Sequence, residues 1–355
     1  MTDQKTTSTP SKVRTPSEAS APSEASARSE GRKAAPARRG RSEWLAAFKR
    51  AMHEFKDDDL QDRAAALTYF GIQSIFPGLL VLVSLLGLVG TSATPLINSV
   101  AKAAPPSVRQ TVLTTMTHLQ HGHAAAGLLA IVGIAVGLWS ASAYVAGFMR
   151  AANVIYDVPE GRPVWKTTPV RLGITLVVVL LLAASIVIVA VTGGLATKVG
   201  HGLGIGSAAV TAWEIAKWPV LLVIVSIMFM ILYWAAPNAR HRFRGVSPGS
   251  ALAVLTWLIA SGLFALYVAN FGHYNKVYGS LGGIIVFLIW MWISNVALLF
   301  GAEFNAELQR GRAIAGGLPP DREPFTELRD DRKLRSRNRR NQRNRLLGAG
   351  RRGRR

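Results

Sequence analysis

Few residues in this 355-residue chain have the types and spacing that chemistry requires. His118, His121 and His123 are close enough in sequence to hold a metal ion, but no Asp, Glu or Cys beside them completes a ligand set. The chain has no cysteine, which excludes disulfides, thiol catalysis and thiolate metal sites. We therefore predict no catalytic residue, no metal site and no cofactor.

Acidic residues are scarce where a hydrolase or an ion-coupled carrier would need them. Between residues 64 and 302 the only acids are Asp157, Glu160 and Glu214, all in predicted loops. A hydrolase needs a nucleophile–base pair, a carboxylate pair or a metal cluster, and coupled carriers usually hold an ionisable group at mid-membrane. The sequence thus argues against an enzyme and against coupling through a buried carboxylate.

The C-terminal segment is strongly basic, with ten arginines from residue 335 onward. It lacks the interleaved aromatic side chains that stack on nucleic-acid bases. A basic segment beside anionic lipid gains about 1 kcal/mol per residue. We predict that the basic tails contact anionic lipid headgroups, and we disfavour nucleic acid as a partner.

Composition indicates a membrane core with charged ends. Half of the residues are hydrophobic and mean hydropathy is +0.25, yet the formal net charge is +21. A helix of about 20 residues crosses the ~30 Å hydrocarbon layer, and backbone groups in lipid must be paired within the helix. Six apolar runs without Asp, Glu, Lys or Arg are long enough to do so: 66–90, 124–149, 172–194, 218–236, 248–271 and 281–302.

Basic residues set the orientation of these runs. The loops after the second and fourth runs hold four and three Lys/Arg, whereas the loops after the first, third and fifth hold two, two and one. The two tails hold 13 and 16. By the positive-inside bias, both termini and the even loops are cytoplasmic. We predict an all-α polytopic bundle of about six transmembrane helices in a bacterial inner membrane, with the bilayer as its first partner.

The chain divides into three segments. Residues 1–42 are polar and predicted to be a disordered cytoplasmic tail, residues 43–310 form the six-span domain, and residues 311–355 are predicted to be a second disordered, Arg-rich tail. Within 43–60, Trp44, Phe48, Met52 and Phe55 share one helical face. That helix lies in the membrane interface or packs on the protein's own core, and the sequence favours neither.

The first run contains Pro77, six residues after Gly71, with Gln73 and Ser74 beside it. Proline removes one intrahelical hydrogen bond and kinks a helix unless neighbours compensate. A broken helix could line a cavity, but we favour a kink that serves packing.

Several segments resemble the YihY/BrkB family of membrane proteins. The first is DRAAALTYF at residues 62–70, leading to Pro77; the second is RAANVIYD at 150–157 between residues 139–142 and 160–165. The third comprises Pro237, Asn238, FGHYNKVYGSL at 271–281 and GAEFNAEL at 301–308. Together they cover roughly residues 43–310 in order, and the tails lie outside the resemblance.

The resemblance implies a six-span bacterial inner-membrane protein of poorly defined activity, linked to envelope phenotypes that include serum resistance and lipid export. Some members carried the label ribonuclease BN, a tRNA-processing label widely regarded as mistaken. The motif residues form two candidate clusters, although the same residues are also typical helix caps, the use we favour. The cytoplasmic-face cluster is Arg150, Asn153, Asp157, Pro237, Asn238, Glu303 and Asn305; the outer-face cluster is Asn270, Tyr274, Asn275 and Tyr278.

Our leading hypothesis is a non-enzymatic protein that transports or exports a lipid-like or amphipathic envelope component. The alternative is an envelope scaffold or assembly partner that acts through its cytoplasmic tails. A membrane-tethered tRNA-processing ribonuclease ranks third. No oligomeric state follows from the sequence.

Overall fold

The computed structural model describes residues 41–88, 124–191, 197, 206–240, 248–270 and 280–352. These residues contain eight named helices: α1 (Arg41–Asp57), α2 (Leu60–Leu88), α3 (Ala124–Ile155), α4 (Val164–Ala190), α5 (Ser207–Ala235), α6 (Pro248–Asn270), α7 (Ser280–Ala315) and α8 (Arg332–Arg352). The prediction of an all-α bundle is confirmed.

Helices α2 to α7 coincide with the six apolar runs. Four of them, α4 to α7, are long and apolar enough to cross a membrane, and between 11% and 28% of their most apolar stretches is buried in the protein. Exposed leucines on these helices, such as Leu180, Leu255 and Leu263, therefore face the surroundings. An apolar surface of this extent belongs in lipid. The count of six spans stays a prediction.

Helices α2 to α7 form a ring. Each contacts the next in chain order, and α7 also contacts α2, which closes the ring; α7 touches α3 across it. The helices alternate in direction, so the starts of α2, α4 and α6 lie with the ends of α3, α5 and α7. We call this the proximal end and the opposite one the distal end.

Specific turn geometry shapes the proximal end. Asp59 (φ 52°) separates α1 from α2, Asp157 (φ 51°) follows α3, and Gly317 (φ 99°) follows α7. Left-handed residues of this kind close helix C-termini because they redirect amides to the last carbonyls. Val158 N–H donates to Asn153 O (2.9 Å), and Leu318 N–H to Ala313 O (3.0 Å). These closures allow the chain to turn sharply at this end.

Helix α1 packs on α7 and α2. Ala47, Ala51 and Phe55 are buried, and the Phe48 ring lies edge-on to Phe300 at 5.5 Å. Packing on the protein's own core is thus observed. Leu45 remains 58% exposed, and the contact of that outer face with the membrane interface stays a prediction.

The segment after α7 differs from the predicted disordered tail. Residues 316–331, which we call the strap, cross the proximal end, and α8 follows. Arg240 N–H donates to Glu327 O (2.7 Å), Arg329 N–H donates to Asn238 O (2.7 Å), and Ala239 pairs with Leu328 as an isolated antiparallel bridge. Composition alone could not predict the strap, because the strap is held by a few backbone hydrogen bonds and not by many apolar residues. Residues 1–40, predicted to be disordered, lie outside the described residues.

Candidate functional site: a ring cavity and a polar proximal end

A cavity of about 520 Å³ lies between α3, α4, α5, α6 and α7, and we call it the ring cavity. Its volume is in the range of small-molecule sites. Aliphatic and aromatic side chains form most of its wall. The full lining is Tyr144, Leu182, Ser185, Trp218, Leu221, Leu222, Val225, Met228, Phe229, Trp257, Leu258, Trp290, Ser294, Asn295 and Leu298.

A chain of hydrogen bonds forms the polar part of the wall. Tyr144 Oη–H donates to Asn295 Oδ1 (2.7 Å), and Asn295 Nδ2–H donates to Thr68 Oγ1 (3.0 Å). Thr68 Oγ1–H in turn donates to Ala64 O (2.8 Å). The chain links α3, α7 and α2 and satisfies groups that would be costly to bury alone. Asn295 of α7 thus forms hydrogen bonds to two other helices.

Three tryptophans line the cavity, and the indole N–H groups of two of them form hydrogen bonds to serines. Trp257 Nε1–H donates to Ser294 Oγ (3.0 Å), and Trp290 Nε1–H donates to Ser261 Oγ (3.2 Å). The third, Trp218, lies beside Lys217 at 5.6 Å. Large amphipathic rings of this kind suit a ligand with both apolar and polar parts.

Aromatic side chains pack against each other on the proximal side of the cavity. The rings of Phe148 and Tyr233 stack at 6.2 Å, and Tyr233 Oη–H donates to Leu298 O (2.6 Å). Phe148, Tyr233 and Leu298 are all buried. Phe148 and Tyr233 lie four residues beyond the lining residues Tyr144 and Phe229, toward the proximal ends of α3 and α5.

The first group of proximal side chains is centred on Glu160. Arg162 is 4% exposed and donates two hydrogen bonds to the Glu160 carboxylate (2.8 Å each) and one to Ala236 O (2.8 Å). Asn153 Nδ2–H donates to the same carboxylate (2.9 Å). Partial burial alone would raise the pKa of Glu160, but the bonds from Arg162 and Asn153 outweigh it and hold the pKa below 4.5.

Asn238 joins this group to the strap. It is fully buried, its backbone N–H donates to Asn153 Oδ1 (2.7 Å), and its Nδ2 donates to Pro159 O (3.1 Å) and Asp330 O (2.9 Å). Asp330 N–H donates back to Asn238 Oδ1 (3.1 Å). The Asp330 carboxylate pairs with Lys166 (2.8 Å), which, with the backbone N–H of Arg332, lowers its pKa below 3.8. One amide thus fixes α5, the loop after α3 and the strap.

The second group is acidic and lies where α1, α2 and α7 meet. Glu303 is 2% exposed, and its Oε2 has no hydrogen-bond partner within the described part of the chain. One turn further along α7, Glu307 pairs with Arg50 of α1 (2.5 Å). Asn305 faces the other way and donates to Tyr156 Oη (3.3 Å).

The predicted cytoplasmic-face cluster is therefore split. Asn153 and Asn238 belong to the first group, with the buried Pro237 preceding Asn238. Asp157 and Glu303 belong to the second. Arg150 joins neither: its guanidinium lies over the Phe70 ring at 5.2 Å.

The residues predicted at the kink of the first apolar run lie on α2 and do not line the ring cavity. Helix α2 is continuous across Pro77, Gln73 is exposed, and Ser74 Oγ–H donates to Phe70 O (2.7 Å). A Cβ at Gly71 would lie 3.1 Å from Met291 Sδ. Gly71 thus permits close packing of α2 on α7.

Several predicted residues are not described. Tyr274, Asn275, Tyr278 and the three clustered histidines lie outside the described residues, as does the side chain of Asn270. Within the described ranges, no group of three or more His, Asp or Glu could hold a metal ion.

Sequence reasoning missed some residues that the fold uses. Arg162 and Lys166 were counted only as loop charges, although a Pro-flanked arginine two residues from a glutamate is a local pairing signal. Glu214 and Lys217 were assigned to a loop, yet they form an ion pair inside α5, and Lys217 is buried. Their i,i+3 spacing was the available signal.

The fold and the site define a class: a polytopic helical membrane protein whose helices line an apolar cavity. The family model described as Virulence factor BrkB matches residues 51–324, more than three quarters of the chain, so the chain belongs to the BrkB family. The resemblance to YihY/BrkB proteins is thereby confirmed. The match extends past residue 310 into the strap.

Three relatives illustrate the family. YfkH of Bacillus subtilis, named as a ribonuclease-like protein, is 32% identical over 268 residues, covering 75% of this chain and 94% of the relative. UPF0761 membrane proteins of Chromohalobacter salexigens and Ralstonia nicotianae are 29% and 28% identical, over 76% and 74% of this chain. The matches span 66% and 59% of those two relatives, which are longer. No solved structure matches.

Proposed function

We propose that this protein is a non-enzymatic transporter of a lipid-like or amphipathic envelope component in a bacterial inner membrane, with both termini cytoplasmic. The ring cavity is the observation that carries the proposal. Four of the five helices that line it, α4 to α7, are apolar enough to cross a bilayer, so the cavity would open at a depth where lipid chains are available.

The lining suits an acyl chain. Leu182, Leu222, Val225 and Met228 offer flexible apolar contacts, and none of the lining residues is charged. A charged substrate buried against such a wall would lose its hydration without compensation. An apolar chain would instead gain about 25 cal/mol for each Å² removed from water.

The polar atoms of the wall suit an ester or hydroxyl group. Tyr144, Ser294 and Asn295 lie together on α3 and α7 and are linked to neighbours by hydrogen bonds of 2.7–3.0 Å. These hydroxyls and the amide offer neutral donors and acceptors. A molecule with an apolar chain next to a neutral ester or hydroxyl group fits this mostly apolar wall with its few polar atoms.

The proximal aromatic layer favours lateral entry. Phe148, Tyr233 and Leu298 are buried on the proximal side of the cavity, and the rings of Phe148 and Tyr233 stack there. A lipid would enter between helices from the bilayer. Movement toward the proximal side would require this layer to part.

The test is lipid movement by the purified chain in vesicles that contain a fluorescent phospholipid. Val225→Trp fills the cavity, and Val223→Trp makes the same change on α5 at a side chain that is 57% exposed and absent from the lining. We expect the wild type and Val223→Trp to accelerate exchange between leaflets and Val225→Trp to fall to the protein-free rate. Equal rates for both variants, or no acceleration by the wild type, would refute the proposal.

A second candidate, an envelope scaffold, is supported by α8. This helix is rich in arginine, and its described side chains are mostly exposed. A chain ending after Ser336 keeps the strap and removes most of α8. A scaffold would lose its envelope phenotype in such cells, whereas a transporter would keep it.

A further inference from the structure

Glu303 is chemically unusual for its place in the fold. It lies on α7 with 2% of its surface exposed, and its Oε2 receives no hydrogen bond from any described residue. Buried carboxylates are normally paired, because an isolated buried charge is very costly. A bound cation or a proton would remove that cost.

Four carboxyl groups around Glu303 would repel a negative charge on it. From the α1–α2 corner come Glu54 and Asp58, from the turn after α3 comes Asp157, and from α7 itself comes Glu307. Tyr156, the neutral titratable group nearby, already accepts hydrogen bonds from Asn305 and Gln309.

The nearby arginines form ion pairs or hydrogen bonds with groups other than Glu303. Arg50 pairs with Glu307, and Arg310 contacts Glu54 (3.4 Å), Glu307 (3.6 Å) and Glu323 (3.2 Å). Arg63 donates through Nε to the backbone O of Asp58 (2.9 Å). None of these contacts involves Glu303.

A metal ion does not fit this arrangement. No three acidic or histidine side chains among the described residues are placed to share one ion. A proton needs a single oxygen, and the bare Oε2 supplies it.

We propose that Glu303, with Asp58 and Asp157, forms a proton-binding site that holds the α1–α2 corner against α7 while the proton is bound and loosens it when the proton leaves. The site is separate from the ring cavity and does not depend on what the cavity binds. Loss of the proton would set a negative charge on Glu303 against two neighbouring carboxyl groups.

The two aspartates support the proposal. Burial, with Asp157 and Glu54 adding repulsion, raises the pKa of Asp58 to about 6. Burial, with Glu323 adding repulsion, raises that of Asp157 to about 6. Both values exceed the ordinary 3.8, so between about pH 4 and 6 these two carboxyl groups hold more protons in the folded chain than in the unfolded chain. Their contribution to the free energy of unfolding therefore falls as pH rises through this window.

A matched pair of substitutions on α7 tests the site. Glu303→Gln imitates the protonated carboxyl, whereas Glu307→Gln breaks the pair with Arg50; both glutamates are 2% exposed. In lipid nanodiscs at neutral pH, we expect Glu303→Gln to raise the thermal midpoint by at least about 2 °C and Glu307→Gln to lower it by a similar amount. A fall in the midpoint for Glu303→Gln would overturn the proposal.

Infrared spectroscopy gives a second readout that needs no variant to be stable. The wild type should show the C=O stretch of a buried protonated carboxyl at neutral pH, and Glu303→Gln should lose it. Glu327→Gln, at an 81% exposed side chain, should keep it. Absence of the band in the wild type, or its disappearance when Na⁺ or Mg²⁺ is added, would refute a proton site.

The pH dependence gives a third readout. Asp58→Asn and Asp157→Asn should each flatten the fall in thermal midpoint between about pH 4 and 6. Asparagine tolerates the left-handed conformation of Asp157, so the turn is kept. Profiles identical to the wild type would count against the aspartates as part of the site.

Discussion

Single amide and guanidinium groups hold the proximal end of this bundle together. Asn238 and Arg162 are almost completely buried, and both bond to backbone oxygens of other segments. A hydrogen bond between buried groups adds only a modest net free energy to stability. Removing one partner costs more, because the remaining buried group is left unsatisfied. The proximal end should therefore be sensitive to small changes at these two positions.

We predict that Asn238→Ala destabilises the fold by roughly 3 kcal/mol, because it removes three partly buried hydrogen bonds, with Pro159 O, Asp330 O and Asp330 N–H, at about 0.5–1.5 kcal/mol each. Thermal unfolding measures the loss, and trypsin should cut the strap faster at Arg322 or Arg329. Asn338→Ala, at an exposed position of α8, is the control and should change neither. Wild-type stability and cleavage in Asn238→Ala would contradict this role.

The candidate site could be predicted in part from single residues. Asn153, Asn238, Glu303 and Asn305 were selected by resemblance, and the structure places all four at the proximal end. Their division into two groups could not be foreseen, because carboxyl groups that face Glu303 come from the α1–α2 corner and hydrogen-bond partners of Asn238 come from the strap. Neither is near its partner in sequence.

At the scale of elements, the crossing of α6 and α7 depends on two glycines. A Cβ at Gly301 would lie 2.6 Å from Gly249 O and 2.7 Å from Tyr233 Oη. One at Gly249 would lie 2.5 Å from Asn305 Cβ. These distances are below van der Waals contact, so the helices approach as closely as they do because both side chains are absent.

Gly249→Ala should therefore destabilise the bundle by about 1–3 kcal/mol through overpacking. Gly262→Ala is the matched control on the same helix, because no atom lies within 4 Å of its would-be Cβ. It should be neutral or stabilise by up to about 1 kcal/mol through helix propensity. Thermal unfolding of both variants in one detergent measures the difference, and equal midpoints would show that the crossing is looser than described.

Apolar runs located the helices well but not their ends. Helix α5 begins at Ser207 rather than near residue 218, because the Glu214–Lys217 pair neutralises its own charges inside the helix. Helix α7 continues to Ala315 rather than stopping near residue 302, because Glu307 and Arg310 find partners on α1. Charged residues led the composition-based prediction to make both helices too short. The ion pairs that allow these residues to lie in a helix cannot be read from composition.

At the scale of the whole molecule, orientation is the main prediction still to be measured. The natural chain has no cysteine, so single cysteines can be introduced without background. Ala209, near the distal start of α5, and Glu327, in the strap, are both exposed. They mark opposite ends of the bundle.

We predict that a membrane-impermeant thiol reagent labels Ala209→Cys in intact spheroplasts and labels Glu327→Cys only after the membrane is opened. The physical reason is the concentration of Lys/Arg in the tails and even loops. Labelling of the detergent-solubilised protein at both positions is the control for reactivity. Labelling of both in intact spheroplasts would place the ends on one side and reject the six-span topology.

The tie between Asn238 and the strap also bears on how the protein is made. The two partners lie 92 residues apart in the chain. While the ribosome is still translating α6 and α7, the amide of Asn238 has no strap to bind and must stay hydrated. The proximal end is thus the last part of the bundle to lose its hydration, because Asn238 can form these bonds only after Asp330 has been synthesised.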